Sequence, residues 1–421
     1  MKWLDTMIDD WLFTPEAKQM AHAALADAKC NSDEKKLMKK YTRKIGSGEA
    51  GRFDQRNTMF SRPRDPEWSD ADILAMGRKH YGVRNFKNYE GYSLLDWAFA
   101  MGSWYLERWW GFGNMVGNEG LYEWYPDAAD IAARDRIPPG QKWVVSDPVE
   151  MTRIVKKAAI YMGASSVGIC KVDRRRIYSH RFDPRTLDHS AIDDIPDSFE
   201  HAIVILHEMD YTLMRTAPAY GENAATGRGY SMMAYTASSV SHFIRDLGYD
   251  AIPSGNDTAL SIPMAVDAGL GELGRHGLLI APRFGPRVRI SKVLTNLPLV
   301  PDEPIEIGVK KMCEVCRKCA KACPGQAISF DRPTKEGPTI SNNHGIYKWY
   351  INPEKCFQFW VRNKGDCANC IRVCVFNKPD TRFHSFVRWY VKNIPQFDQM
   401  YLWMDDVFGY GRKIPMREVW K

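Results

Sequence analysis

The chain has 421 residues, 44% hydrophobic and 26% charged, and its 58 Lys and Arg against 51 Asp and Glu leave a formal charge of +7. That composition marks a globular protein of two or three domains, and the interspersed charges demand no nucleic-acid footprint. Ten cysteines, eight of them between 313 and 374, exclude a disulfide scaffold and point to metal.

The opening residues, MKWLDTMIDDWLFTPEAK, hold neither an apolar signal core nor a paired arginine, so no export signal is expected. Nor does any stretch approach the roughly 18 uninterrupted apolar residues of a membrane-spanning helix. Residues 1–140 are aromatic-rich and irregular apart from DWAFAMGSWYLERWWGFGN at 96–114, where 96–110 reads as a helix. Trp104, Trp109 and Trp110 there either fill a core or wall an apolar pocket.

From 147 the pattern sharpens. Asp147 and Pro148 read as cap and first helical position, Met151, Ile154, Val155, Ala158 and Met162 follow at helical spacing, and Gly163 is a stop. SSVGICKV reads as a strand, HAIVILHEM at 201–209 as a buried strand, and 230–247 as a helix with Val240, Phe243, Ile244 and Leu247 on one face. Helices alternating with buried strands predict an α/β middle domain. GLGELG at 269–274 matches a dinucleotide loop in letters alone: a helix precedes it, a strand follows it, and no acidic residue stands about 20 positions on. Its glycines are expected to make a turn. A strand through RVRI puts Arg287 and Arg289 on one face, with Val288 and Ile290 on the other.

CEVCRKCAKACP at 313–324 has the spacing C-x2-C-x2-C-x3-C-P, a bacterial iron–sulfur run whose fourth cysteine ligates the other cluster of a pair. A second run follows as Cys356, then ten residues, then Cys367-x2-Cys370-x3-Cys374, with FQFWVRNKGD inserted as a loop between its first two ligands. The crossover rule assigns Cys313, Cys316, Cys319 and Cys374 to one [4Fe–4S] cluster and Cys323, Cys356, Cys367 and Cys370 to the other. Paired zinc ribbons would use two C-x2-C pairs and a spacer, without a third cysteine two residues on. Two neighbouring clusters make an electron wire, which implies a centre at its end that takes one electron at a time. The amphipathic tail from 381 is expected to fold back as a lid, its Asp398, Asp405 and Asp406 suiting an anionic membrane poorly.

The segments AIPSGN and SIPMAVDAGLGELGRHGLLIAPRFGPRVRISKVLTNLPL, with the two cysteine runs, resemble the reductive dehalogenases of organohalide-respiring bacteria over residues 50–380. RFDQRNTMFSR is similar to that family's mature start region. The resemblance implies an α/β (α+β), nitroreductase-like corrinoid-binding domain at 141–305 and a two-cluster ferredoxin-like domain at 306–380. An aromatic-rich extension at 1–140 would contribute to the corrinoid and substrate pocket, and a lid would occupy 381–421. It implies a cobalamin-type corrinoid held base-off, and the chain has no D-x-H-x-x-G motif with which to supply a histidine to cobalt. The implied reaction replaces carbon–halogen by carbon–hydrogen with two electrons and a proton, cobalt in the Co(I) state being the reductant and a tyrosine the acid.

On the family pattern Tyr230, at the start of its helix, matches the proton donor, Asn256 its polar helper and Arg289 the arginine that eases donation from a weakly acidic phenol. Spacing alone leaves Tyr235 and Arg287 as rivals. Thr226 and Trp360 match substrate-pocket positions, Trp360 reaching the pocket from the inserted loop, and Gly274 and His276 match corrinoid contacts. Implied partners are a small halogenated substrate, an electron donor (reduced ferredoxin, flavodoxin or a quinol-linked chain) and a small membrane anchor subunit, without nucleic acid. A signal-trimmed chain would sit peripherally on the outer face of the cytoplasmic membrane, and an untrimmed one in the cytoplasm. Two alternatives stand beside this reading: an epoxyqueuosine reductase, which would use an acid such as Asp267, and a non-catalytic iron–sulfur electron carrier.

Overall fold

The computed structural model describes residues 51–82, 86, 89–111, 120–122, 124, 138, 140–184 and 186–421. Cys30, the signal reading of the first residues, and 112–114 of the aromatic run lie outside them. Helix α1 (Ala71–Tyr81) is capped by the Asp70 carboxylate, and α2 (Leu94–Ser103) opens on a capping box between Ser93 and Asp96. The helix expected through 110 therefore ends at Ser103, and Glu107–Gly111 form a separate π-helical turn. Trp109 and Trp110 on that turn are each 39% exposed, so neither fills a core.

Helix α3 (Pro148–Tyr161) starts where Asp147 accepts from the Val149 amide and ends before Gly163, whose φ of +102° suits glycine. There follow β1 (Ser166–Lys171), β2 (His180–Asp183), β3 (Asp188–Ala191), β4 (His201–Glu208), short α4 (Tyr211–Met214) and long α5 (Tyr220–Asp246). Then come β5 (Ala251–Ser254), α6 (Ser261–Asp267), β6 (Glu272–Leu273), β7 (Leu279–Ile280) and β8 (Val288–Thr295). The central sheet has the order β1-β4-β8-β5, and each pairing is antiparallel. This corrects the α/β expectation to α+β. The apolar run of β4 reads like a strand of a parallel sheet because both faces are covered. Ile203, Ile205 and Val293 lie under α3 and α5, while Ala202, Val204, Leu206 and Leu294 pack with α6.

Helix α5 begins ten residues before its predicted start, and Tyr230 lies in its middle, not at its N-terminus. Gly221, Gly227 and Gly229 hide the first turns from propensity reasoning, since each costs about 1 kcal/mol in a helix. Tertiary contact requires two of them. A Cβ on Gly227 would stand 2.4 Å from the Trp104 ring, and one on Gly229 would stand 2.9 Å from the Arg289 side chain. GLGELG supplies the turn that follows α6 and then β6 itself, a Cβ on Gly271 meeting the Ile280 carbonyl at 2.3 Å.

The cysteine region folds as α7 (Val309–Cys316), α8 (Lys318–Lys321), α9 (Pro353–Asn363) and α10 (Asn369–Arg372), followed by α11 (Arg382–Asn393) and α12 (Asp398–Val407). The insertion FQFWVRNKGD proves mostly helical, extending α9 until Lys364 turns left-handed at φ 57°. Asn352 caps α9 and Pro353 opens it. Its Phe357 packs with Met59 and Ile73, and Arg62 pairs with Glu354 at 2.6 Å. The tail divides its contacts. Val391 of α11 and Leu402 of α12 pack beside Met312, Cys313 and Cys374, and Asp405 bridges Lys318 and Lys378 at 2.6 Å each. Its last residues return toward α2 and the end of α4, the Ile414 amide donating to the Arg215 carbonyl and Trp420 meeting Phe99 edge-on with ring centroids 5.0 Å apart. No helix among the described residues is long and apolar enough to cross a membrane.

Candidate functional site

Helical spacing of four puts Glu222, Thr226 and Tyr230 on one face of α5, and that face looks onto β8. The Arg289 guanidinium lies 4.8 Å from the Tyr230 ring centroid and donates to Thr226 Oγ1 at 3.1 Å. From the loop after β5, Asn256 Nδ2 donates to the Tyr230 hydroxyl at 2.8 Å. Trp104 stacks on the phenol, ring centroids 4.9 Å apart at 21°, and its indole donates to Asn223 Oδ1 at 3.1 Å. Tyr230 is half-buried and Asn256 exposed, so the hydroxyl sits at a reachable edge.

The rivals point elsewhere. Tyr235 is 47% exposed. Arg287 lies immediately before β8 and takes different partners from Arg289. It pairs with Glu208 and donates to the Lys378 carbonyl at 3.0 Å. Asp267 forms an ion pair with Arg176 at 3.4 Å.

Three further groups shape the site without having been singled out by sequence. Lys292, fully buried on β8, donates to the Gly255 and Ala259 carbonyls and to Ser261 Oγ, which pins the loop carrying Asn256; burial pulls it down to about 8. Glu222 is fully buried with neither carboxylate oxygen hydrogen-bonded. Burial, reinforced by Asp366, pushes its carboxyl well above the usual range. Its signal was the i, i+4, i+8 series in GENAATGRGY, visible once α5 is extended back. Glu107 accepts from the Tyr122 hydroxyl at 3.3 Å, and burial lifts it to about 8 despite that bond.

Glu107 sets a pH dependence. Between its ordinary value near 4.5 and its folded value of about 8, the unfolded chain has released a proton that the folded chain retains. Stability therefore falls across that window and levels off above it. Glu107→Gln is expected to lose this slope, its melting temperature gaining on the parent's as pH rises through the window. A gap that stays constant with pH would contradict the assignment.

The eight clustered thiols separate into two groups in space. Cys313, Cys316, Cys319 and Cys374 line one cavity with Arg275, His276, Met312 and Phe376. Cys356, Cys367 and Cys370 lie within electrostatic reach of Cys323, and Cys370 also of Cys319, so the groups adjoin. Left-handed residues stand in matching places, Arg317 after Cys316 (φ 50°) and Ala368 after Cys367 (φ 47°), the mark of a duplicated loop. Burial pushes Cys319, Cys356 and Cys367 up to about 12, so these thiols are neutral until iron takes their protons. The second group touches the α5 face, Cys367 lying within electrostatic reach of Glu222.

The remaining sequence candidates fall outside the Tyr230 cluster. His276 lines the first thiol cavity, its Nδ1 accepting from the Leu278 amide at 3.2 Å; burial holds the ring down to about 4, leaving the proton on Nε2. A Cβ on Gly274 would meet the His276 ring at 2.8 Å. Trp360 of α9 packs at a tilt against Phe60 and Phe357, ring centroids 5.8 and 6.2 Å away, on the side facing α1.

A model of the 4Fe-4S dicluster domain matches residues 312–378. Over 340 residues the chain is 37% identical to a tetrachloroethene reductive dehalogenase of Desulfitobacterium hafniense, covering 71% of this chain and 61% of that protein. The chain thus spans less than two thirds of that relative's length. Among solved structures, a catabolic reductive dehalogenase superposes with a TM-score of 0.68 at 25% identity, covering 86% of this chain and 47% of that one. Another reductive dehalogenase, whose structure suggests a mechanism for B12-dependent dehalogenation, has a TM-score of 0.65 at 24% identity, over 86% and 47%, and is like in fold.

Proposed function

The chain is a homologue of the reductive dehalogenases, and from that premise we propose that it is itself one, exchanging halogen for hydrogen on a small organohalide. The observation that carries the reading is the Tyr230 hydroxyl, held by Asn256 beside the Arg289 guanidinium on the α5 face whose Glu222 lies within electrostatic reach of Cys367. Balance requires R–X, two electrons and one proton to give R–H and halide.

The eight cysteines would hold two [4Fe–4S] clusters, which would supply electrons one at a time. A base-off corrinoid, when bound, supplies from Co(I) the reducing power that breaks the carbon–halogen bond. The protein fits such a guest in one respect: on the α5 face that carries Tyr230 and on the facing strand, both oxygens of Glu222 and Nε of Arg289 are buried without hydrogen-bond partners. Those two residues would border it.

Tyr230 holds the proton at its hydroxyl oxygen. Asn256 donates to that oxygen, so the phenolic hydrogen stays free to point at the substrate carbon. Arg289 stabilises the phenolate left behind, and Trp104 fixes the ring's plane and excludes water from its face. An electron donor of low potential completes the cycle, and the exposed row Phe383, Phe386 and Trp389 on α11 offers a surface for that donor or for an anchor subunit.

The test is metal content and halide release from protein produced anaerobically with cobalamin. About one cobalt per eight iron, with halide released from a chlorinated substrate, is expected. Iron without cobalt and without halide release would leave an electron carrier as the better account.

A further inference from the structure

Away from Tyr230 and the thiols, Asp54, His180 and His189 converge beside the β2–β3 hairpin. One ring nitrogen of each histidine and one Asp54 oxygen all lie within 4.8 Å of one another. His189 Nε2 stands 3.0 Å from Asp54 Oδ2, His180 Nδ1 stands 4.0 Å from the same atom, and the two rings stack at 4.7 Å and 28°. The register pairs His180 with Ala191 and Phe182 with His189, so the rings are diagonal neighbours on one face of the hairpin.

The third donor is fixed from outside. Asp54 Oδ1 accepts from the Arg56 amide at 2.8 Å, and its segment is clamped by Arg52, whose Nη2 donates to the Tyr178 and Ile192 carbonyls at 2.7 and 2.6 Å. Gln55 Oε1 accepts from the Phe182 amide at 3.4 Å. Three segments thus aim two imidazoles and a carboxylate at one point, a ligand set suited to zinc and neighbouring divalent metals rather than to calcium or magnesium. Asp54, His189 and His180 are 24%, 25% and 42% exposed, which admits the ion and a water as fourth ligand.

We propose that Asp54, His180 and His189 form a divalent transition-metal site of zinc type that clips the segment around Asp54 to the β2–β3 hairpin. On binding, the His189–Asp54 and His180–Ser179 hydrogen bonds are exchanged for three metal bonds, any proton on the coordinating nitrogens leaves to solvent, and no electron moves. Tetrahedral bonds of about 2.0–2.1 Å need donors closer than those of the apo geometry, a movement that side-chain rotation of the exposed His180 supplies.

Zinc chloride titrated calorimetrically into the cluster-loaded protein is the test. The expected result is one zinc per chain beyond any in the starting material, bound at least about tenfold more weakly by His180→Ala and by His189→Ala, with iron content unchanged. Hydrogen exchange at 52–57 should slow when zinc is added to the parent and stay unaltered in the variants. Absence of saturable binding, or equal affinity in parent and His180→Ala, would overturn the site. His180→Ala decides alone if His189→Ala misfolds, and neither readout depends on turnover.

Discussion

Tyr230→Phe is expected to keep its cofactors and lose its turnover, with halide release falling by about 10²–10⁴-fold, the usual worth of a positioned general acid. The substitution removes one oxygen. The remaining ring keeps its stack on Trp104 and its place under Arg289, so the helix and the pocket wall have no reason to move. Asn256 loses its acceptor, but it is exposed and water can replace the hydroxyl there. Iron content and the reduced-cluster electron paramagnetic resonance spectrum should therefore match the parent's. A variant turning over within about threefold of the parent would remove Tyr230 from the chemistry, whatever its geometry.

Cys374→Ser should damage the same cluster as Cys313→Ser, although the two cysteines belong to different sequence runs. The pair lines one cavity with Cys316 and Cys319, whereas Cys323, from the first run, keeps company with Cys356, Cys367 and Cys370. Each serine variant should shed up to about half of its eight irons, and its electron flow to the far end should fail altogether. Spectra decide the crossing: Cys374→Ser and Cys313→Ser should lose one set of resonances, Cys323→Ser and Cys356→Ser the other. If Cys374→Ser erased the signal that Cys356→Ser erases, the two-group arrangement would fall.

The elements legible in the sequence were those whose signals are local. Asp147 and Pro148 announced α3, the apolar run at 201 announced β4, and cysteine spacing announced the dicluster module. What was missed depends on contacts between distant segments. The start of α5 was hidden by glycines whose reason is Trp104 and Arg289, one from each flank of the chain. Sheet direction could not be read from β4, because a strand covered on both faces looks the same whichever way its neighbours run. Among the site residues, Arg289 and Arg287 are inseparable by alternation because residues two apart along a strand share a face; their partners, Thr226 for one and Glu208 for the other, come from distant segments. Lys292 and Glu222 went unremarked because a buried charge has no sequence signature of its own.

The helix that lengthens the second cysteine run sets the order in which the molecule can be completed. Arg62 and Glu354, joined at 2.6 Å, are 292 residues apart in sequence, and Met59 and Ile73 wait for Phe357 across a similar distance. On a ribosome the early segment emerges with its seat not yet made, and the seat includes the helix that carries Cys356. Closure of residues 59–73 over α9 is thereby a late event in biogenesis, one that falls in the same stage as loading of the cluster that Cys356 would hold.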